Sequence, residues 1–148
     1  CLKSYEMLLQ LLTQTSHTTS PTPTFLYNEH GQPRLENGPF FSISHCKQAI
    51  AVAIGESPIG IDVEHIRTAT TELVKRTMNE QEQAKIWEAE LPNVAFTSLW
   101  TQKEAVLKMK GTGIISNLQD TLLDIDAMDI QTHVVWEKQY VYSIAVAR

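Results

Sequence analysis

Gly60-Ile61-Asp62-Val63-Glu64 places two carboxylates two residues apart inside an apolar run of β type. Side chains alternate across a strand, so Asp62 and Glu64 point to the same side. Forty residues on, Trp100-Thr101-Gln102-Lys103-Glu104-Ala105-Val106-Leu107-Lys108 reads as a helix. Trp100, Glu104 and Lys108 then fall at i, i+4 and i+8 on one stripe. With that stripe turned toward the strand, three carboxylates and a lysine meet at one place. Oxygen-only donor sets suit a hard cation such as Mg2+, which is held by a few carboxylates together with substrate phosphates. The two segments predict a helix laid over a strand, and chemistry on a phosphate ester.

At 148 residues the chain is long enough for one domain with a sizeable core, and its apolar content of 43% is ordinary. Seventeen acidic against twelve basic residues give a net charge of −5, which argues against general nucleic-acid binding. Two cysteines, Cys1 and Cys46, imply neither a disulfide framework nor a four-cysteine zinc site. Cys46 follows His45 directly, and neighbours on an extended chain point to opposite sides. A Cys–His dyad is therefore not expected, and Cys46 reads as a reduced, buried thiol of a cytoplasmic protein. No apolar run approaches a membrane span, and the segment after Cys1 lacks the character of a signal peptide. Because Cys1 is not an initiator methionine, the natural start is expected upstream.

Along the chain, Ser4 to Thr13 predicts a short amphipathic helix and Thr15 to Thr24 a Ser/Thr/Pro connector. A turn is expected around Glu29 to Pro33. Phe40 to Ser44 and Ala49 to Ile54 read as strands joined at His45 to Gln48, with a third strand over Ile59 to Glu64. Asn79-Glu80-Gln81-Glu82 resembles a capping box that opens a helix toward Leu91, with Pro92 as its stop. The next helix runs from Phe96 to Lys110 and ends at Gly111-Thr112-Gly113. Ile130 to Trp136 and Tyr140 to Ala147 supply the last strands. Strands and helices are segregated, so the fold class is α+β, a mostly antiparallel sheet packed with helices.

Each acid motif alone fits an ordinary solvated face, but several motifs occur together. Gly-x-Asp-x-Glu at 60–64, Trp-x-x-Lys-Glu-Ala-x-x-Lys at 100–108 and Lys-x-x-Gly-x-Gly at 108–113 combine with Phe41-Ser42-Ile43-Ser44-His45. In this combination the chain resembles the Sfp-type 4′-phosphopantetheinyl transferases from about Phe25 to its end. Gly31-Gln32-Pro33 resembles that family's Gly-Lys-Pro element, with glutamine in place of the usual lysine and a phosphate contact thereby in question. Members of the family are pseudodimers of two similar halves. The resemblance implies that residues 25–148 form a catalytic domain and that 1–24 are a remnant helix and linker of the preceding lobe. Most of the first half would be missing, supplied by a separate N-terminal lobe or replaced by self-association.

The resemblance further implies transfer of the 4′-phosphopantetheine arm of coenzyme A to a serine of an acyl or peptidyl carrier protein, releasing adenosine 3′,5′-bisphosphate. Asp62, Glu64 and Glu104 would hold Mg2+. Glu104, with Glu64 beside it, would take the serine proton, and Lys108 would meet the leaving phosphate. Ser44, His45 and Lys108 would contact coenzyme A. Lys103 points about 100° away from Glu104 around the helix and receives no role. Trp100 is expected to be a packing anchor. His65 stays unassigned, and Asp124, Asp126 and Asp129 read as a solvated face. Two other readings compete: a catalytically silent lobe that docks a carrier protein or partner chain, and a Mg2+-dependent phosphohydrolase. Neither nucleic acid nor a membrane is expected as a partner.

Overall fold

In the computed structural model, residues 2–15, 23–112 and 118–148 are described. The first helix, α1 (Leu2–Gln14), buries Leu8 and Leu12 on one face. Strands β1 (Phe25–Tyr27) and β2 (Pro33–Leu35) form a short antiparallel hairpin, Phe25 opposite Leu35 and Tyr27 opposite Pro33. A second hairpin joins β3 (Phe40–His45) to β4 (Ile50–Gly55), with Ser44 opposite Ala51. The third sheet contains β5 (Ile59–His65), β6 (Met128–Val135) and β7 (Tyr140–Ala147) in the order β5-β7-β6. Every one of these pairings is antiparallel, and three further helices complete the α+β fold: α2 (Thr71–Thr77), α3 (Glu80–Glu88) and α4 (Pro92–Lys110).

The expected single sheet is divided at the seam between β3 and β5. There the backbone N–H groups of Ile61 and Val63 donate to the hydroxyls of Ser42 and Ser44, at 3.0 and 3.1 Å. Both contacts have the same sequence offset, so β3 runs alongside β5 in the same direction. Each serine oxygen stands where a backbone carbonyl would stand in a continuous ladder, and the two amides are satisfied without one.

Helix α3 begins as its sequence predicts. Asn79 Oδ1 accepts from Glu82 N, and Glu82 Oε1 accepts from Asn79 N, both at 2.9 Å. Pro92 is not only a stop. It is the first residue of α4, where its missing N–H costs nothing, so that helix starts four residues before Phe96. Helix α2, capped by Thr70 on Leu73 N, has no counterpart among the expected elements. Nor do the two three-residue strands β1 and β2, in a region read only as a turn. His45 closes β3 rather than opening the connection, and Cys46 is a half-buried free thiol rather than a buried one. Most of the 15–24 connector, and Gly113, lie outside the described residues.

Three apolar clusters hold the elements. Leu8 and Leu12 pack with Leu35 and Phe41. Val74, Met78, Ile86 and Phe96 join α2, α3 and α4. Ala105 and Val106 press on Met128 and Ala145, which seats α4 on the three-stranded sheet. Among the described residues no helix is long and apolar enough to cross a membrane.

Candidate active site

Gly60 decides how closely α4 approaches β5. A Cβ added there would fall on the carbonyl oxygen of Ala105 and lie 2.6 Å from the amide nitrogen of Met109. Helix backbone therefore rests directly on strand backbone, an approach that only glycine permits. Farther along the same face the hydroxyls of Thr101 and Ser143 are 2.7 Å apart, and Gln102 Nε2 donates to Thr132 Oγ1 at 2.9 Å. With the helix held at both ends, its stripe of Glu104 and Lys108 meets the strand face that carries Asp62 and Glu64.

Asp62 lies opposite Ser143 in the sheet and is only 4% exposed. Its Oδ1 accepts from Lys108 Nζ and from Ser44 Oγ, each at 3.2 Å, whereas its Oδ2 is buried without a hydrogen-bond partner. Burial pushes the Asp62 carboxyl up to about 7; the Lys108 ammonium opposes the rise, and the charges of Glu64 and, more weakly, Glu104 add to it. Glu104, half-buried, is likewise raised by burial, with Lys108 opposing and Glu64 reinforcing. Three carboxylates and one lysine thus form a single electrostatic group, as the strand face and helix stripe predict.

Lys108 bridges the seam. Besides Asp62, its ammonium donates to the carbonyls of Ile61 at 3.0 Å and Ile43 at 3.4 Å, so a helix side chain ties β3 to β5. Its other side lines a cleft of about 660 Å3 between the β1–β2 hairpin, the start of β3 and the end of α4. Arg34, Lys108 and Lys110 give that cleft three cations, and Phe40, Phe41 and Ile59 give it apolar wall. Lys108 is the residue that the carboxylate group and the cleft share.

Among the described residues no three His, Cys, Asp or Glu side chains are gathered into a closed metal cage. The donor chemistry nevertheless fits a hard cation. Asp62 Oδ2 is a buried carboxylate oxygen that lacks a proton donor, and two further carboxylates couple to it.

The remaining expected residues sort by geometry. The hydroxyl of Ser44 accepts from Val63 N and turns toward Asp62, so it is engaged within the protein, while the side chain of His45 is exposed at the strand end. Trp100 packs against Phe96 in the helical cluster, with the Arg67 guanidinium 5.1 Å above its ring. Lys103 is 1% exposed and binds Glu82 Oε1 at 2.7 Å and the carbonyl of Leu118 at 2.7 Å. Asp129 pairs at the surface with Arg148, as a solvated face should. His65 ends β5, exposed. Sequence reasoning gave no role to Asn28 and doubted Gln32, yet both reach the end of α4. The one signal was the proximity of Gly31-Gln32-Pro33 to a turn.

A model of the 4′-phosphopantetheinyl transferase superfamily matches residues 58–145, a segment that carries both acid motifs. The 4′-phosphopantetheinyl transferase gsp of Aneurinibacillus migulanus is 28% identical over 137 residues, covering 90% of this chain and 55% of that protein. The 4′-phosphopantetheinyl transferase AcpT of Salmonella typhi is 35% identical over 104 residues, 65% of this chain and 54% of the relative. For the 4′-phosphopantetheinyl transferase Sfp of Bacillus subtilis strain 168, the identity is 27% over 113 residues, 74% of this chain and 47% of the relative. The chain spans about half the length of these curated relatives. With more than half of its residues inside the family match and the acid, glycine and lysine positions assembled around one seam, the chain belongs to the 4′-phosphopantetheinyl transferase superfamily.

Proposed function

We propose that this chain transfers the 4′-phosphopantetheine arm of coenzyme A to a serine of an acyl or peptidyl carrier protein, in a Mg2+-dependent reaction that releases adenosine 3′,5′-bisphosphate. The observation that carries this reading is the Asp62–Lys108 pair with its orphaned Oδ2, flanked by Glu64 and Glu104 and opening beside a cationic cleft. Asp62 and Glu104 would hold the cation, with Glu64 completing the set directly or through water. When bound, Mg2+ supplies charge neutralisation at the pyrophosphate.

The chain's own residues do the rest. Glu104, whose affinity for a proton is raised by burial, takes the serine proton. The serine oxygen bonds to the pantetheine phosphorus as the P–O bond to the adenosine bisphosphate breaks, and the electron pair of that bond leaves with the bisphosphate. Lys108 keeps Asp62 in place and presents its ammonium toward the departing phosphate. His45, exposed at the seam, is better placed than Ser44 to meet a phosphate of coenzyme A. In the resembling family the site lies between two halves. The exposed Leu26, Tyr27 and Phe40 at the cleft rim are then the surface that a separate lobe or a second copy would cover.

The span of about half the relatives' length favours a second reading, a lobe that docks a carrier protein without catalysis. Calorimetric titration of coenzyme A into the 148-residue chain, with and without Mg2+, separates the two. Metal-dependent binding, together with mass-spectrometric gain of the phosphopantetheine arm on a carrier protein, supports the transferase. Absence of coenzyme A binding under both conditions sinks it.

A further inference from the structure

The last turn of α4 delivers Lys108, and that turn is held from outside the helix. Helix ends leave carbonyls without intrahelical partners. Gly111, in the left-handed region at φ 69°, closes the helix by donating its N–H to the carbonyls of Leu107 at 3.0 Å and Lys108 at 3.2 Å. Two side-chain amides from the β1–β2 turn complete the cap. Gln32 Nε2 donates to the Lys108 carbonyl at 2.6 Å, and Asn28 Nδ2 donates to the Gly111 carbonyl at 2.9 Å.

The turn is organised for this. Asn28 Oδ1 accepts from the backbone N–H groups of His30 and Gln32, both at 2.9 Å, which orients its amide group outward. The fit is close: a Cβ on Gly111 would lie 2.7 Å from Gln32 Oε1 and 3.1 Å from Asn28 Nδ2. The amide donors also meet the negative end of the helix, where positive partial charge is favourable.

We infer that Asn28 and Gln32 are positioning residues for Lys108, a cap supplied in trans by the β1–β2 turn that fixes where the ammonium enters the seam. This rests on the transferase reading only for the kinetic part of its test. The lysine that the family usually carries at position 32 is therefore replaced here by a residue with a different task, since both polar atoms of the glutamine face the helix end rather than the cleft.

Two variants test this: Gln32→Met, near in shape but without a donor, and Asn28→Asp, which keeps both turn acceptors and loses the amide. Amide hydrogen exchange, read by NMR on the 148-residue chain, is expected to speed about tenfold at Leu107 to Gly111. Exchange earlier in α4 and in β7 should be unchanged. In transfer assays Gln32→Met should lower kcat about ten- to a hundredfold, with KM for coenzyme A little changed. In the Lys108→Ala background the same substitution should have no further effect on residual turnover, because the group it positions is gone. Unchanged exchange in both variants overturns the cap, whatever the activity. Faster exchange with an equal loss of turnover in both backgrounds overturns the link to Lys108. If the unmodified chain transfers nothing, the functional reading fails separately, and the exchange result alone decides the cap.

Discussion

Asp62 carries opposing demands. Its environment is dry enough to raise the carboxyl from an ordinary value of 3.8 to about 7, yet a cation site requires it ionised. In Mg2+-free buffer the consequence for stability has a definite sign. Between about pH 4 and about pH 7 the unfolded chain gives up the Asp62 proton while the folded chain keeps it, so stability falls as pH rises through that window and levels above it. Glu104, raised for the same reason, adds to the slope. Urea midpoints across this range should show the decline, and Asp62→Asn should flatten it while abolishing transfer. A profile already flat in the unmodified protein would mean that Asp62 ionises without penalty. Gly60 makes a second residue-scale claim. Gly60→Ala drives a methyl into helix backbone, and overpacking of that kind costs about 1–3 kcal/mol. Denaturant unfolding should register that loss along with reduced transfer, and an unaffected variant would show that the helix can withdraw freely.

At the scale of elements, α4 joins everything the site uses, and Lys103 secures its middle. The ammonium is buried and its pKa lowered by that burial, with Glu82 opposing the shift. Through Glu82 it reaches the capping box of α3, and through the carbonyls of Leu118 and Gln119 the turn that follows α4. Breaking a buried pair by removing one partner costs about 3–5 kcal/mol, whereas removing both is milder. Lys103→Met should therefore destabilise strongly, and Lys103→Met with Glu82→Met much less, as measured by urea unfolding in a double-mutant cycle. Equal effects of the single and double variants would reduce the pair to a surface contact. The sequence made α4 and β5 readable because their periodicity is long and their apolar positions regular. It did not reveal the task of Lys103, since a helical wheel gives a direction and not the partner 21 residues away. Helix α2 and strands β1 and β2 escaped because seven- and three-residue elements are too short for periodicity to decide. The serines of β3 were read as phosphate contacts, and the division of the sheet was invisible, for one reason: their hydroxyls serve as the ladder across the seam.

At the scale of the whole molecule the carboxylate group is assembled from distant stretches of chain, and its accuracy depends on the scaffold moving as one body. Motifs named Asp62, Glu64, Glu104 and Lys108 from sequence alone, because strand and helix periods fix which side chains share a face. How β1, β2 and α1 support that group was not legible, because it depends on contacts made after the chain has folded back on itself. The division expected after residue 24 makes α1 a remnant of a different lobe. Its leucines, however, complete the cluster of Leu35 and Phe41, and Tyr5 meets the ring of Phe25 edge-on at 5.7 Å. Leu35 continues the strand that follows the Asn28–Gln32 turn, and Phe41 begins the strand that reaches Ser44. Loss of α1 packing should therefore be felt at the site. Leu12 is fully buried, and truncating such a leucine costs about 2–5 kcal/mol. Leu12→Ala should lower the urea midpoint of one cooperative transition, monitored both by far-UV circular dichroism and by amide exchange in β5. Transfer at temperatures near the shifted midpoint should fall in parallel. Were α1 an independent remnant, the substitution would leave exchange in β5 and the main transition untouched, and the scaffold of the site would begin at Phe25.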